Sequence, residues 1–217
     1  MNLANNEGQG RGGAVKGSAE RDVGKERFGM VKKHHGKTMQ KAIDEKVIDE
    51  KMVSLCRYIA GTEKYFTSSS CAGRVLLLAL PKGEDKKDAY FHRRWHREVN
   101  AAEIWKALQE ETKGEVWLKQ EPFIIHMGCD GLEDAEKILS AMKEAGVKRG
   151  GIIVAKQGKF IVELQGTGRI SVPLKKGVEI LIDEKYLGFV VHAANKKLMG
   201  NYARLKKFES VCRKMLK

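Results

Sequence analysis

Nowhere in the 217 residues is there an apolar run of about 18, so the sequence offers no membrane span. The opening MNLANNEGQGRGG lacks the apolar segment of a secretion signal, which leaves the cytoplasm as the expected compartment. Cysteine is scarce. Cys56, Cys71, Cys129 and Cys212 lie far apart with no CxxC pair, which excludes a zinc signature and a disulfide framework. No bound metal is expected. Also missing are a GxGxxG turn after a first strand and a GxxxxGK[ST] loop, so neither a Rossmann nucleotide site nor a phosphate-transferring enzyme is supported. The nearest glycine-rich candidate, GTGR at Gly166–Arg169, precedes a strand instead of a helix.

What the chain has in excess is positive charge, 41 Lys and Arg against 28 Asp and Glu, for a net +13. The excess sits at the ends. Met1 to Lys41 holds nine basic and four acidic residues, and Lys196 to Lys217 holds eight basic residues against Glu209 alone. Clustered like charges repel one another, and a polyanion bound there releases its condensed counterions. Nucleic acid is therefore the favoured partner, with a merely soluble basic surface as the plainer reading.

Residues 1 to about 36, rich in glycine and charge and nearly free of apolar side chains, read as a disordered basic arm. Residues 37–217 remain as a single domain, expected to be a monomer. From Thr38, apolar side chains at Ile43, Val47, Ile48, Met52, Leu55, Cys56 and Ile59 predict one amphipathic helix ending near Gly61. Lys64–Thr67 and Val75–Leu80 predict two strands joined by the polar stretch Ser68–Arg74, and Pro81–Arg94 reads as an exposed loop. Glu98–Glu110 carries a helical apolar face. Glu115–Glu121 and Phe123–Cys129 predict two strands separated by Pro122, or one strand broken there. A helix over Leu132–Ala145 and a hairpin of Gly151–Ala155 with Lys159–Leu164 follow. A short strand at Arg169–Leu174 and a long helix from about Glu184 to Lys217 complete the chain. Hairpin-linked strands mixed with helices predict an α+β fold, a mainly antiparallel sheet packed with helices.

Several constellations could carry chemistry. Ser68-Ser69-Ser70-Cys71-Ala72-Gly73-Arg74 combines hydroxyls, a glycine that lets backbone approach a ligand, and an arginine able to clamp a carboxylate or phosphate. The plainer reading is a turn, and no sequence neighbour activates Cys71 as a nucleophile. RRWHREV sets Trp95 and His96 among Arg93, Arg94 and Arg97, which suits stacking on an unpaired base, or else anchoring the start of a helix. His126 interrupts the apolar strand FIIHM, where a satisfied core histidine is the commoner role. Arg149-Gly150-Gly151 opens a strand with exposed backbone and a guanidinium, or punctuates a loop. On the last helix, Asn195 and Asn201 are mildly unfavourable amides, and Lys196, Lys197 and Arg204 offer a phosphate track.

In order along the chain, KYFTSSSCAGRV, RRWHREV, VWLKQEPFIIHM, AEKILSAMKEAGVKRGGI, FIVELQGTGRISVPL and AANKKLMGNYARL resemble the wybutosine-synthesis tRNA methyltransferase family, from about Met39 to Leu216. One departure is Gly150, where many members are expected to carry serine. The resemblance implies a compact, non-Rossmann α+β enzyme that uses S-adenosyl-L-methionine. It would methylate the N4 ring nitrogen of a 4-demethylwyosine-type tricyclic guanosine beside the anticodon of tRNA(Phe), gripping the anticodon stem-loop. It further implies a cofactor pocket of Ser68, Ser69, Ser70, Cys71, Gly73, Arg74, Arg149, Gly150, Gly151 and Glu163, with Arg74 on the cofactor carboxylate. His96 or His126 would relay the nitrogen's proton. RNA would meet Trp95, Arg93, Arg94, Asn195, Lys196, Lys197 and Arg204. The rival reading is a non-enzymatic basic RNA-binding module, which explains the charge and Trp95 equally well.

Overall fold

A computed structural model describes the backbone of residues 12–81 and 88–217, with side chains from residue 23 onward in those ranges. Residues 1–11 of the expected arm and 82–87 of the expected loop lie outside the described residues. In chain order the elements are α1 (Gly12–Asp44), α2 (Glu50–Gly61), β1 (Tyr65–Leu80), β2 (Tyr90–Trp95), α3 (Ala101–Gln109) and β3 (Glu115–Cys129). Then come α4 (Leu132–Glu144), β4 (Arg149–Lys156), β5 (Lys159–Gln165), β6 (Ile170–Lys176), β7 (Glu179–Ile180) and α5 (Glu184–Met215). The expected α+β class holds. All pairings are antiparallel, in one seven-stranded sheet.

β3 is the axis of that sheet. β1 pairs with it from Tyr65↔Cys129 to Leu80↔Glu115. On its other edge β3 has two partners in succession, β6 along Glu115–Gln120 and β5 along Ile124–Cys129. Pro122, which cannot donate to a ladder, falls in the gap between them. Of the two sequence readings for this stretch, the single strand is correct. The buried phase of β3 also changes here, from Val116, Leu118 and Gln120 to Phe123, Ile125 and Met127. The inward set passes from even to odd positions while the β1–β3 pairing keeps its register across Pro122.

Two apolar cores result, and α5 serves both. Val190, Val191, Ala194 and Leu198 pack with α3 over Val75, Leu77, Val116 and Leu118. Leu205, Phe208, Val211 and Cys212 pack with α2 and α4 over Phe123, Ile125 and Met127, and Tyr202 touches both groups. Among the described residues no helix is long and apolar enough to cross a membrane.

Three expectations need correcting. The boundary at residue 36 is crossed by α1 without a break, so the stretch from residue 12 is helical. Its partners lie on β1 and at the end of α2, out of local view. His35 stacks on Phe66 at 4.9 Å and 5°, Phe28 meets the same ring at 6.0 Å, and Lys32 Nζ donates to the carbonyls of Ala60, Thr62 and Tyr65 at 3.2, 2.5 and 2.6 Å. The single helix expected from Thr38 to Gly61 is two, because Lys46 adopts φ 55° and the Val47 and Ile48 amides fold back onto the Ala42 carbonyl. The expected loop up to Arg94 contains β2, which pairs with the apolar end of β1 from Val75↔Trp95 to Ala79↔Tyr90.

Candidate active site

The polar stretch Ser68–Arg74 does not join two strands; it lies inside β1, paired with β3 on one side throughout. A register shift between Thr67 and Ser69 marks its start. Its end is Gly73, at φ +93°, where an added Cβ would sit 2.8 Å from both Asn201 Nδ2 and the Glu121 carbonyl. Only glycine suits that conformation and spacing. Asn201, buried on α5, donates to the Ala72 carbonyl and accepts from the Phe123 amide, both at 2.7 Å. One side chain thus ties β1 to β3 where the inward phase changes.

The register places Ser69, His126 and Glu163 in a row across β1, β3 and β5. Ser69 Oγ lies 2.9 Å from His126 Nδ1, and His126 Nε2 lies 2.9 Å from Glu163 Oε2. With its proton on Nε2, the imidazole donates to the carboxylate and accepts from the hydroxyl. His126 is therefore not a core histidine, since it lies on the opposite face from the buried Ile125 and Met127. Ser69 is exposed and opens into a cavity of about 240 Å³ between α1 and β1. Met39, Ala42, Val47 and Ile48 form its apolar side, while Thr38 and Ser68–Ser70 form its polar side. The contribution of α1 and of residues 47–48 was missed in sequence; its only signal was the apolar spacing of that stretch.

A second group lies along the same strand. His96 Nδ1 is 2.6 Å from Asp49 Oδ1, and Asp49 Oδ2 accepts from the Ala72 amide at 2.6 Å. Cys71 adjoins them, and burial raises its thiol pKa. The Tyr202 hydroxyl, pushed up to about 12 chiefly by burial, donates to the His96 carbonyl at 3.0 Å. His96 and His126 thus belong to different groups, and Asp49 was not anticipated.

Other expected residues are already engaged. Arg74 donates to Glu121 at 2.9 Å and its guanidinium covers Phe91 at 4.7 Å. Trp95 donates its indole N–H to Glu103 at 2.7 Å, and Arg97 grips the same carboxylate, holding its pKa below the usual range. Arg93 pairs with Glu110 and Arg94 covers Phe91 at 5.2 Å. Asn195 binds both peptide groups of Val99, at 3.1 and 2.7 Å. Arg149 and Gly151 are on β4, at the sheet edge, with Gly151 paired to Glu163. A Cβ at Gly150 would fall 2.3 Å from the Glu163 carbonyl, so a serine there requires β4 and β5 to move apart. Lys197 and Arg204 line a groove of about 190 Å³ with Gly166, Thr167 and Gly168, and Lys196 is exposed beside it. The GTGR segment, unsuited to a Rossmann turn, forms one wall of this basic groove.

A family model described as "Methyltransferase TYW3" matches residues 30–214. A Pyrococcus horikoshii protein named tRNA(Phe) 7-((3-amino-3-carboxypropyl)-4-demethylwyosine(37)-N(4))-methyltransferase 1 is 34% identical over 185 residues, covering 85% of this chain and 94% of that one. A Xenopus laevis protein named tRNA wybutosine-synthesizing protein 3 homolog is 36% identical over 172 residues, 78% of this chain and 68% of the other. A solved structure from Pyrococcus horikoshii superposes with a TM-score of 0.81 at 33% identity, over 86% of this chain and 96% of that one.

Proposed function

This chain belongs to the TYW3 methyltransferase family, and on that premise we propose that it methylates the N4 ring nitrogen of a 4-demethylwyosine-type guanosine in tRNA(Phe), with S-adenosyl-L-methionine as donor. The observation that carries the site is the Ser69–His126–Glu163 row, whose hydroxyl end opens into the cavity under α1. The cavity suits such a cofactor: its apolar side takes the flat adenine ring and the methylene chain, and its hydroxyls serve the polar groups. S-adenosyl-L-methionine supplies an already activated methyl group, so the protein's work is alignment and proton removal.

The row performs the second task with balanced protons. The ring N–H proton passes to Ser69 Oγ as the hydroxyl proton passes to His126 Nδ1. The resulting imidazolium keeps its Nε2–H on Glu163, which stabilises the charge and fixes the tautomer. Ser68 and Ser70 hold the cofactor, and the Lys197–Arg204 groove takes tRNA phosphates, with Lys196 beside it. Mass analysis of nucleosides from tRNA(Phe) bearing the unmethylated tricyclic base, incubated with protein and cofactor, tests the reading. A gain of one methyl at that nucleoside is expected. Tight tRNA binding with no mass gain would favour the non-enzymatic module instead.

A further inference from the structure

Asp49 directly precedes α2, Cys71 lies within β1, and His96 follows the last residue of β2. The fold gathers a carboxylate oxygen, a thiol sulfur and an imidazole nitrogen from these three within 4.8 Å of one another. We propose that Asp49, Cys71 and His96 bind one divalent transition-metal ion, zinc by ligand type, leaving a fourth position open. This goes beyond the methyl-transfer reading and does not depend on it.

Ligand chemistry, pre-orientation and access support the site. A thiol with an imidazole and a single carboxylate selects a borderline-soft cation over magnesium or calcium, which prefer all-oxygen sets. One ligand is held from behind as ligating side chains usually are, the Ala72 amide fixing Asp49 Oδ2, and the Tyr202 hydroxyl donates to the backbone carbonyl of His96. His96 keeps 40% of its side chain exposed, so the ion has a way in and room for a water or substrate atom. Three protein ligands with one open position is the pattern of catalytic zinc.

The adjustment needed is small. Metal–ligand bonds of about 2.0–2.3 Å require the Asp49–His96 separation, now 2.6 Å, to open to about 3.3 Å. Cys71 releases its thiol proton to solvent on binding, and His96 binds through Nδ1 as a neutral ring with its proton on Nε2. The ligands come from three distant stretches of chain, which is why no spacing motif announces them.

The test is a cobalt(II) titration of the full chain after chelator treatment. One equivalent should produce a thiolate-to-cobalt charge-transfer band with four-coordinate visible bands, and zinc should bleach both. Cys71→Ser should abolish the charge-transfer band, and His96→Gln should weaken cobalt binding at least tenfold. Metal-free melting curves of both variants establish that they are folded. Should Cys71→Ser not fold, His96→Gln decides alone. Absence of the band in the parent chain, its persistence in Cys71→Ser, or unchanged affinity in His96→Gln would overturn the site.

Discussion

Asn201 and His126 illustrate how differently a polar residue can be used within one sheet. Asn201 meets two buried backbone groups, so Asn201→Ala strands the Phe123 amide and the Ala72 carbonyl together. A loss of about 2–4 kcal/mol is expected, read as a lower urea midpoint at constant slope. His126 instead sits half-open between a hydroxyl and a carboxylate. His126→Ala should lower kcat by about 10²–10⁴, with cofactor affinity by calorimetry and the melting temperature nearly unchanged. Glu163→Gln, which keeps the hydrogen bond and removes the charge, should lower kcat by less. A loss of cofactor binding in either variant would move the row out of the proton-transfer role. In sequence, Asn201 was visible only as an awkward helical amide and His126 only as an interruption of an apolar run. What makes each matter is a partner across the sheet, which the linear order cannot supply.

The elements divide along the same line. α4, α5 and the β4–β5 hairpin were legible because their apolar periodicity and turn glycines are local. In sequence β1 reads as two strands because its centre is serine and cysteine, polar residues that a strand tolerates only when its neighbours offer partners. In sequence α1 reads as an arm because few of its side chains are apolar, and Phe28 and His35 dock on a ring more than thirty residues away in sequence. Its attachment should also respond to pH. Burial, with His34 and Lys159 nearby, lowers the His35 pKa below the ordinary 6.5. A base whose folded value is depressed binds protons more weakly folded than unfolded, so docking weakens as pH falls through that ordinary value. Amides of α1 should therefore exchange faster at about pH 5 than at about pH 8, after correction for intrinsic rates, while those of β3 should not. Equal protection at both would remove His35 from the docking. Lys32→Met, which removes the donor to three carbonyls, should release the same helix at every pH.

For the molecule as a whole, the charge at the chain ends points to a polyanion partner, and the fold concentrates part of it beside the glycine-rich groove. Lys197→Ala should weaken tRNA binding and reduce the slope of log affinity against log salt by about 0.7–0.9. An unchanged slope would place the phosphates elsewhere. The long terminal helix bears on the same scale. Both cores rest on α5, and its groove residues Lys197 and Arg204 flank Asn201, the bracket between β1 and β3. That shared helix couples the two halves of the sheet. A nucleic acid gripping the middle of that helix clamps the strand bearing the serines as well, so docking of one ligand should steady the seat of the other.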